Sequence, residues 1–268
     1  MGVEIIMNPE EIEIKQELKR FTGNAPLLYL KHAKEREWAE DLYNGKLFMN
    51  TVKFFRELEE KTGKRGQGDR HELLQRLKLA NGRIINNDTN EVFLEFSAAN
   101  ATIEIKGDQD KYLYCISGIT IDDLELSGLG KSSVEFKLPF TEQLIESLKK
   151  DFGEHVVLVS GPGFRQKINN LINEGKVQAV FGKVKYCEPN TLQRMEAFNT
   201  FSAERFLYKD IDLAYQKEYR LAVGKEFVKD NYFNIGSLKD ISYICKIDDL
   251  VNYRGCFDVV WKKNANNK

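Results

Sequence analysis

The sequence predicts a mixed α+β fold, and three observations carry that prediction. Segments with apolar residues three and four apart alternate irregularly with short β-branched runs. No internal repeat recurs, and no Pro- or Ser-rich linker interrupts the chain. One domain over residues 1–268 is therefore expected, with an N-terminal helix within 1–24, a core over 25–262 and a short tail over 263–268.

The elements follow in order. Asn8-Pro9-Glu10-Glu11 opens a helix with a capping side chain, a proline at the first helical position and acids near the positive end; it runs to about Phe21 and stops at Gly23. Leu27 to Lys31 is an apolar strand. Glu35 to Asn44 is a helix, with Trp38 and Leu42 one turn apart and Gly45 as its stop. A short strand, Lys46 to Asn50, precedes a helix from Thr51 to about Thr62. A glycine-rich basic loop, Gly63 to Arg70, comes next. Arg83 to Lys106 is β-rich, with turns at Asn86-Asn87-Asp88 and Ala99-Asn100. Lys111 to Ser117 and Ser132 to Leu138 are strands, and Thr141 to Phe152 is an amphipathic helix. His155 to Ser160 is a β-branched strand ended by Gly161-Pro162-Gly163. A helix, Phe164 to Glu174, and a strand, Gln178 to Tyr186, follow. Tyr215 to Val223, Ile241 to Ile247 and Phe257 to Trp261 complete the strands.

Composition bounds the function classes. Hydrophobic residues are 42% and charged residues 30%, ordinary for a globular protein, and a net charge of −1 gives no global electrostatic case for nucleic acid. No apolar run reaches the roughly 18 to 20 residues of a membrane helix, and Met1 to Arg20 lacks the basic start and apolar centre of a secretion signal. Cys115, Cys187, Cys245 and Cys256 form no C-x-x-C pair, which predicts reduced thiols and a cytoplasmic protein.

The most specific chemistry lies in Tyr215–Val223. Alternation along a strand places Gln216, Glu218, Arg220 and Ala222 on one face and Tyr215, Tyr219, Leu221 and Val223 on the other, with Lys217 a misfit on the apolar side. An amide beside a carboxylate suits holding a ribose hydroxyl and stabilising positive charge at an anomeric carbon. A solvated strand face with Glu218 paired to Arg220 is the plainer alternative. Gly66-x-Gly68-Asp69 lacks the P-loop spacing, yet Lys64, Arg65 and Arg70 are suited to hold an anion, as they are to form a plain basic turn. Cys115-Ile116-Ser117 ends a strand, where a catalytic cysteine is one reading and a small buried thiol followed by a strand-end Ser is the plainer one. His32, His71 and His155 show no metal spacing.

Several short segments carry a resemblance. Leu28-Tyr29-Leu30-Lys31, Glu37-Trp38-Ala39 through Asn44-Gly45 to Asn50, Phe54-Phe55-Arg56, the Arg65–Glu72 loop, Gly182–Tyr186 and Gln216–Arg220 together resemble a poorly characterised bacterial and phage domain family. More distantly, the layout is similar to the ADP-ribosyltransferase superfamily. In that superfamily an opening strand bears Arg or His, a middle strand ends in Ser or Tyr, and a late strand carries the catalytic Glu.

The resemblance implies a split, mostly antiparallel mixed sheet flanked by helices, and NAD+ as substrate. It implies Glu218 beside the oxocarbenium-like centre, Gln216 orienting the acceptor, and Ser117 supporting Glu218 or the ribose. Tyr29 lies in the cofactor strand, and Lys31 or His32, with Arg65, holds the phosphates. The implied acceptor is nucleic acid or protein, and the implied setting is a toxin or phage-conflict effector, with an antitoxin or phage protein as partner. A non-catalytic module recognising a nucleotide or phage protein is the second expectation. A metal-dependent nuclease using Asp69 and Glu72 is the third.

Overall fold

The computed structural model describes residues 9–130 and 132–258. Asn8, the tail over 263–268 and the part of the last expected strand beyond Asp258 lie outside the described residues. The fold is α+β with mostly antiparallel strand pairs. The chain divides into two compact units, residues 1–46, 117–169 and 234–268 forming the first and 47–116 and 170–233 the second. No helix of the described residues is long and apolar enough to cross a membrane.

In the first unit Leu28–Ala33 lies between His155–Ser160 and the last residues of the Tyr112–Ile119 strand, antiparallel to both. Ser242–Lys246 pairs with the outer side of His155–Ser160. A separate three-stranded sheet sets Ser133–Lys137 between Glu125–Leu129 and Arg254–Asp258. Its core draws on Leu18, Leu30, Ile121, Val134, Ile145, Val156, Leu158, Ile247 and Leu250. Each such side chain, once buried, contributes roughly 1.5–3 kcal/mol against the entropy of ordering the chain. The Glu142–Phe152 helix starts where expected because the Thr141 hydroxyl accepts from the Leu144 N–H.

Gly161-Pro162-Gly163, expected to end a strand, instead opens the Gly161–Asn173 helix. Proline near a helix start costs little, because the first N–H groups there have no partner within the helix. The Gly161 N–H donates to the Leu27 carbonyl, and a Cβ at this position would sit 1.9 Å from the Pro26 carbonyl oxygen. Gly161→Ala should therefore cost about 3 kcal/mol of stability, by the strain of overpacking. Urea unfolding of the variant reads this directly, and a loss under about 1 kcal/mol contradicts it.

In the second unit Glu218–Val223 lies between Ala179–Lys183 and the first residues of Tyr112–Ile119, and Asn50–Thr51 extends the pairing at Tyr112 and Leu113. Lys185–Cys187 and Tyr208–Asp210 form a short parallel pair. Val52, Leu73, Leu113, Phe198, Phe206 and Ala222 make its core. A two-stranded ribbon is built from Gln75–Leu79 on Ala99–Ile103 and Gly82–Ile85 on Val92–Phe96. The expected reversal at Asn86–Asp88 is present, with the Asn86 side chain accepting from Asp88 and Thr89. The expected turn at Ala99-Asn100 is not: both residues sit inside a strand, because the ribbon reverses once, at its tip.

Candidate functional site

The expected strand Tyr215–Val223 begins only at Glu218. Tyr215 and Gln216 close a 3-10 helix, Ile211–Gln216, and Lys217 takes a left-handed backbone, φ 46°. The misfit of Lys217 in the alternating pattern marks this turn. Gln216 and Glu218 therefore do not share a strand face. All six residues from Glu218 to Val223 are buried, because strands flank both edges and both faces are covered. Polar groups here must be paired internally rather than face water.

They are paired. Glu218 is 5% exposed. Its Oε2 accepts from Lys209 Nζ at 2.8 Å and its Oε1 from Arg220 Nε at 2.9 Å. Arg220, fully buried, donates both terminal nitrogens to Glu72, at 2.7 and 2.9 Å, and one of them also to the Phe206 carbonyl at 2.9 Å. Lys209 Nζ reaches Gln216 Oε1 as well, at 2.8 Å, while Gln216 Nε2 donates to the Gly66 carbonyl. Burial works to raise the Glu218 carboxyl, yet Lys209 and Arg220, with a hydrogen bond from the Cys115 thiol, hold it well below the usual carboxylate range. Glu72 has both oxygens engaged by Arg220, so a metal in the nuclease reading would have to compete with that buried pair.

The glycine-rich loop is held on the Val52–Thr62 helix. A Cβ at Gly68 would meet the Glu59 nitrogen at 2.4 Å, the Asp69 N–H donates to the Phe55 carbonyl, and the Glu59 carboxylate accepts from the Arg70 N–H. Asp69, buried at the end of this loop, has its pKa pushed up to about 6, by burial first and then by the charge of Glu72.

Three arginines converge on one buried carboxylate beside this loop. Arg194 Nη1 meets Asp210 Oδ1 at 3.0 Å, while Arg65 and Arg76 both meet Oδ2, and Arg65 also reaches Asp212 at 2.8 Å. Arg194 is 2% exposed, whereas the side chains of Arg65 and Arg76 are about one-third exposed, 35% each. The buried Nε–H groups of Arg76 and Arg194 have no acceptor among the described residues. Three guanidinium charges against two carboxylates leave a positive balance. His71 senses it: after burial, Arg76 is the largest influence lowering its pKa, with Arg70 and Arg65 adding to it and Asp210 opposing.

The remaining expected residues lie in the first unit. Tyr29 is fully buried with its ring 5.3 Å from Phe164, a packing role. The register pairs Leu30 with Ser117, so Leu30, His32 and Ser117 share one sheet face, and Tyr29 and Lys31 take the other. Lys31 and His32 are thus not interchangeable anchors. Burial, with the charge of Lys31, pushes the His32 pKa down to about 4, so its imidazole is neutral at pH 7 and supplies no charge to a phosphate. The strand expected to stop at Ser117 runs on to Ile119, so Ser117 sits inside it, and its second-unit part brings Cys115 to Glu218. Asp210, Arg76 and Arg194 carried no sequence signal: they are scattered over 135 positions' span of chain. No family model, curated protein or solved structure matches the chain.

Proposed function

We propose that this chain is a nucleotide-binding module that holds phosphate oxygens at Arg65, Arg76 and Arg194 and does not turn its ligand over. The observation that carries this reading is the triple guanidinium cluster on Asp210, with two Nε–H donors unused and a positive balance left over. Arginine forks suit phosphate oxygens, and a single negative charge on such a group would balance the remaining one. The absence of turnover follows from Glu218, whose two oxygens each carry a cation. A carboxylate so neutralised offers little to an oxocarbenium-like centre.

The competing reading is an ADP-ribosyltransferase-like fold acting on NAD+, with a nucleic-acid or protein acceptor, as a cytoplasmic toxin or phage-conflict effector. One observation favours it: Gln216 Oε1 and Glu218 Oε2 meet on the same Lys209 ammonium, so the expected pair does share one neighbourhood. In either setting a phage protein or antitoxin is the expected macromolecular partner.

Calorimetric titration with ADP-ribose and NAD+ tests the module. Binding is expected, weakened about tenfold or more by Arg76→Gln, as loss of one charge-assisted fork would produce. Incubation with labelled NAD+ and cell lysate is expected to transfer no label. Label transfer that Glu218→Gln abolishes in a still-folded protein establishes the transferase instead, and unchanged affinity in Arg76→Gln removes the proposed phosphate site.

A further inference from the structure

The second unit holds a cleft of about 610 Å³, lined among others by Lys111, Val180, Phe201, Arg205, Phe206 and Val223. That volume lies within the range of small-molecule sites, roughly 300–1,000 Å³. Neither Glu218 nor the arginines around Asp210 line it. We propose that this cleft is a separate binding site for a small anion carrying a planar ring, with Phe201 as the stacking surface and Lys111 as the charge partner. This goes beyond the nucleotide-binding reading and does not depend on it.

Phe201 carries two costs at once. The Leu192–Asn199 helix ends in a Schellman motif: the Ser202 N–H donates to the Ala197 carbonyl and the Phe201 N–H to the Phe198 carbonyl. Phe201 occupies the left-handed position of that motif, φ 55°, where glycine is the default. Its ring gains nothing in exchange from burial, being 67% exposed on the rim of the cleft. A bulky residue kept in a strained conformation with its ring in water is the pattern of a recognition residue.

The surroundings hold that conformation fixed. Arg205 donates to the Phe201 and Ser202 carbonyls at 2.7 and 2.8 Å, and its other edge is clamped by both oxygens of the buried Asp108 at 2.7 Å. Its guanidinium also lies 4.6 Å from the centre of the Phe206 ring. Arg205 is therefore committed to shaping the wall. Lys111 is not: its ammonium has no acceptor among the described residues, so it is the cation able to meet a ligand. Val180 and Ala222, cross-strand partners on one sheet face, add apolar side chains to the lining, which favours a ring over a fully hydrated anion.

The probe for the test is indole-3-acetate, which has a ring and a carboxylate but no phosphate, so the arginine cluster's proposed role does not enter. Two comparators isolate its parts: cyclohexylacetate keeps the charge without the π face, and indole-3-acetamide keeps the ring without the charge. In NMR titrations of the full chain, indole-3-acetate should saturate with a Kd of about 1 mM or tighter, within the bounds expected for so small a ligand. Each comparator should bind about fivefold or more weakly. Phe201→Gly should bring indole-3-acetate to the level of cyclohexylacetate without lowering the Tm, since glycine suits the backbone there. Lys111→Ala should weaken indole-3-acetate while leaving the amide unchanged.

Three results overturn the proposal. One is the lack of saturation by about 10 mM, a concentration at which even ligands of marginal efficiency register. Another is equal affinity for indole-3-acetate and cyclohexylacetate. The third is a Phe201→Gly protein that loses several degrees of Tm and keeps its affinity, which makes Phe201 a helix cap alone.

Discussion

Arg220→Met should destabilise the protein by about 3–5 kcal/mol, the cost of removing one partner from a buried ion pair. The side chain is fully buried and joins Glu72 through two hydrogen bonds and Glu218 through one. Methionine of comparable length fills the space but leaves Glu72 a buried carboxylate without its cation, while Glu218 keeps Lys209. Against a total stability of typically 5–15 kcal/mol, such a loss leaves the variant near the edge of folding. Urea unfolding at neutral pH measures it. The second substitution in Glu72→Gln/Arg220→Met removes the stranded charge, so the double variant should recover a large part of the loss. A penalty below about 1 kcal/mol for Arg220→Met, or no recovery in the double variant, would show that water reaches this cluster.

The second large effect is a pair of opposed proton linkages. His32 has its folded pKa lowered from 6.5 to about 4, so its contribution is fully present above pH 6.5 and lost as pH falls through 4. Asp69 has its folded pKa raised from 3.8 to about 6, so its contribution is fully present below pH 3.8 and lost as pH rises through 6. Each shift corresponds to about 3 kcal/mol, and the two nearly cancel between pH 6.5 and 4. Wild-type stability should therefore change little across this window on their account. His32→Gln should unmask Asp69 and become more stable relative to wild type on acidification. Asp69→Asn should unmask His32 and become less stable as the pH falls. Denaturant midpoints at pH 7, 5.5 and 4 decide the matter, and parallel profiles for both variants would contradict it.

How much of this was legible in the sequence depended on whether the determining forces were local. The Thr141–Phe152 helix and the His155–Ser160 strand read correctly, because a cap and an unbroken β-branched run specify them without help from elsewhere. The strand Gln75–Leu79 and the helix Leu192–Asn199 were missed, the former for want of an apolar signal in Gln-Arg-Leu-Lys-Leu and the latter for a weak apolar stripe. The Gln216/Glu218 pair shows the limit most clearly. Alternation places side chains only if the strand extends through both residues, and a left-handed Lys217 ends it between them. Whether a carboxylate faces water depends on what covers it. Lys209 and Arg220 meet Glu218 through packing between segments, which no local pattern encodes. The arginine cluster was invisible for the same reason, apart from Arg65, which its basic loop announced.

The way the backbone threads its two compact bodies limits what can be excised. Residues 47–116 and 170–233 belong together, yet the stretch between them, 117–169, is owned by the other body, and the Tyr112–Ile119 strand is divided by that boundary. A gene fragment with two new ends cannot yield either body intact. Isolating the arginine cluster and the ring cleft for crystallography or display would require rejoining Ile116 to Asn170 by a designed connector, and truncation mapping of any activity would report lost folding at nearly every cut.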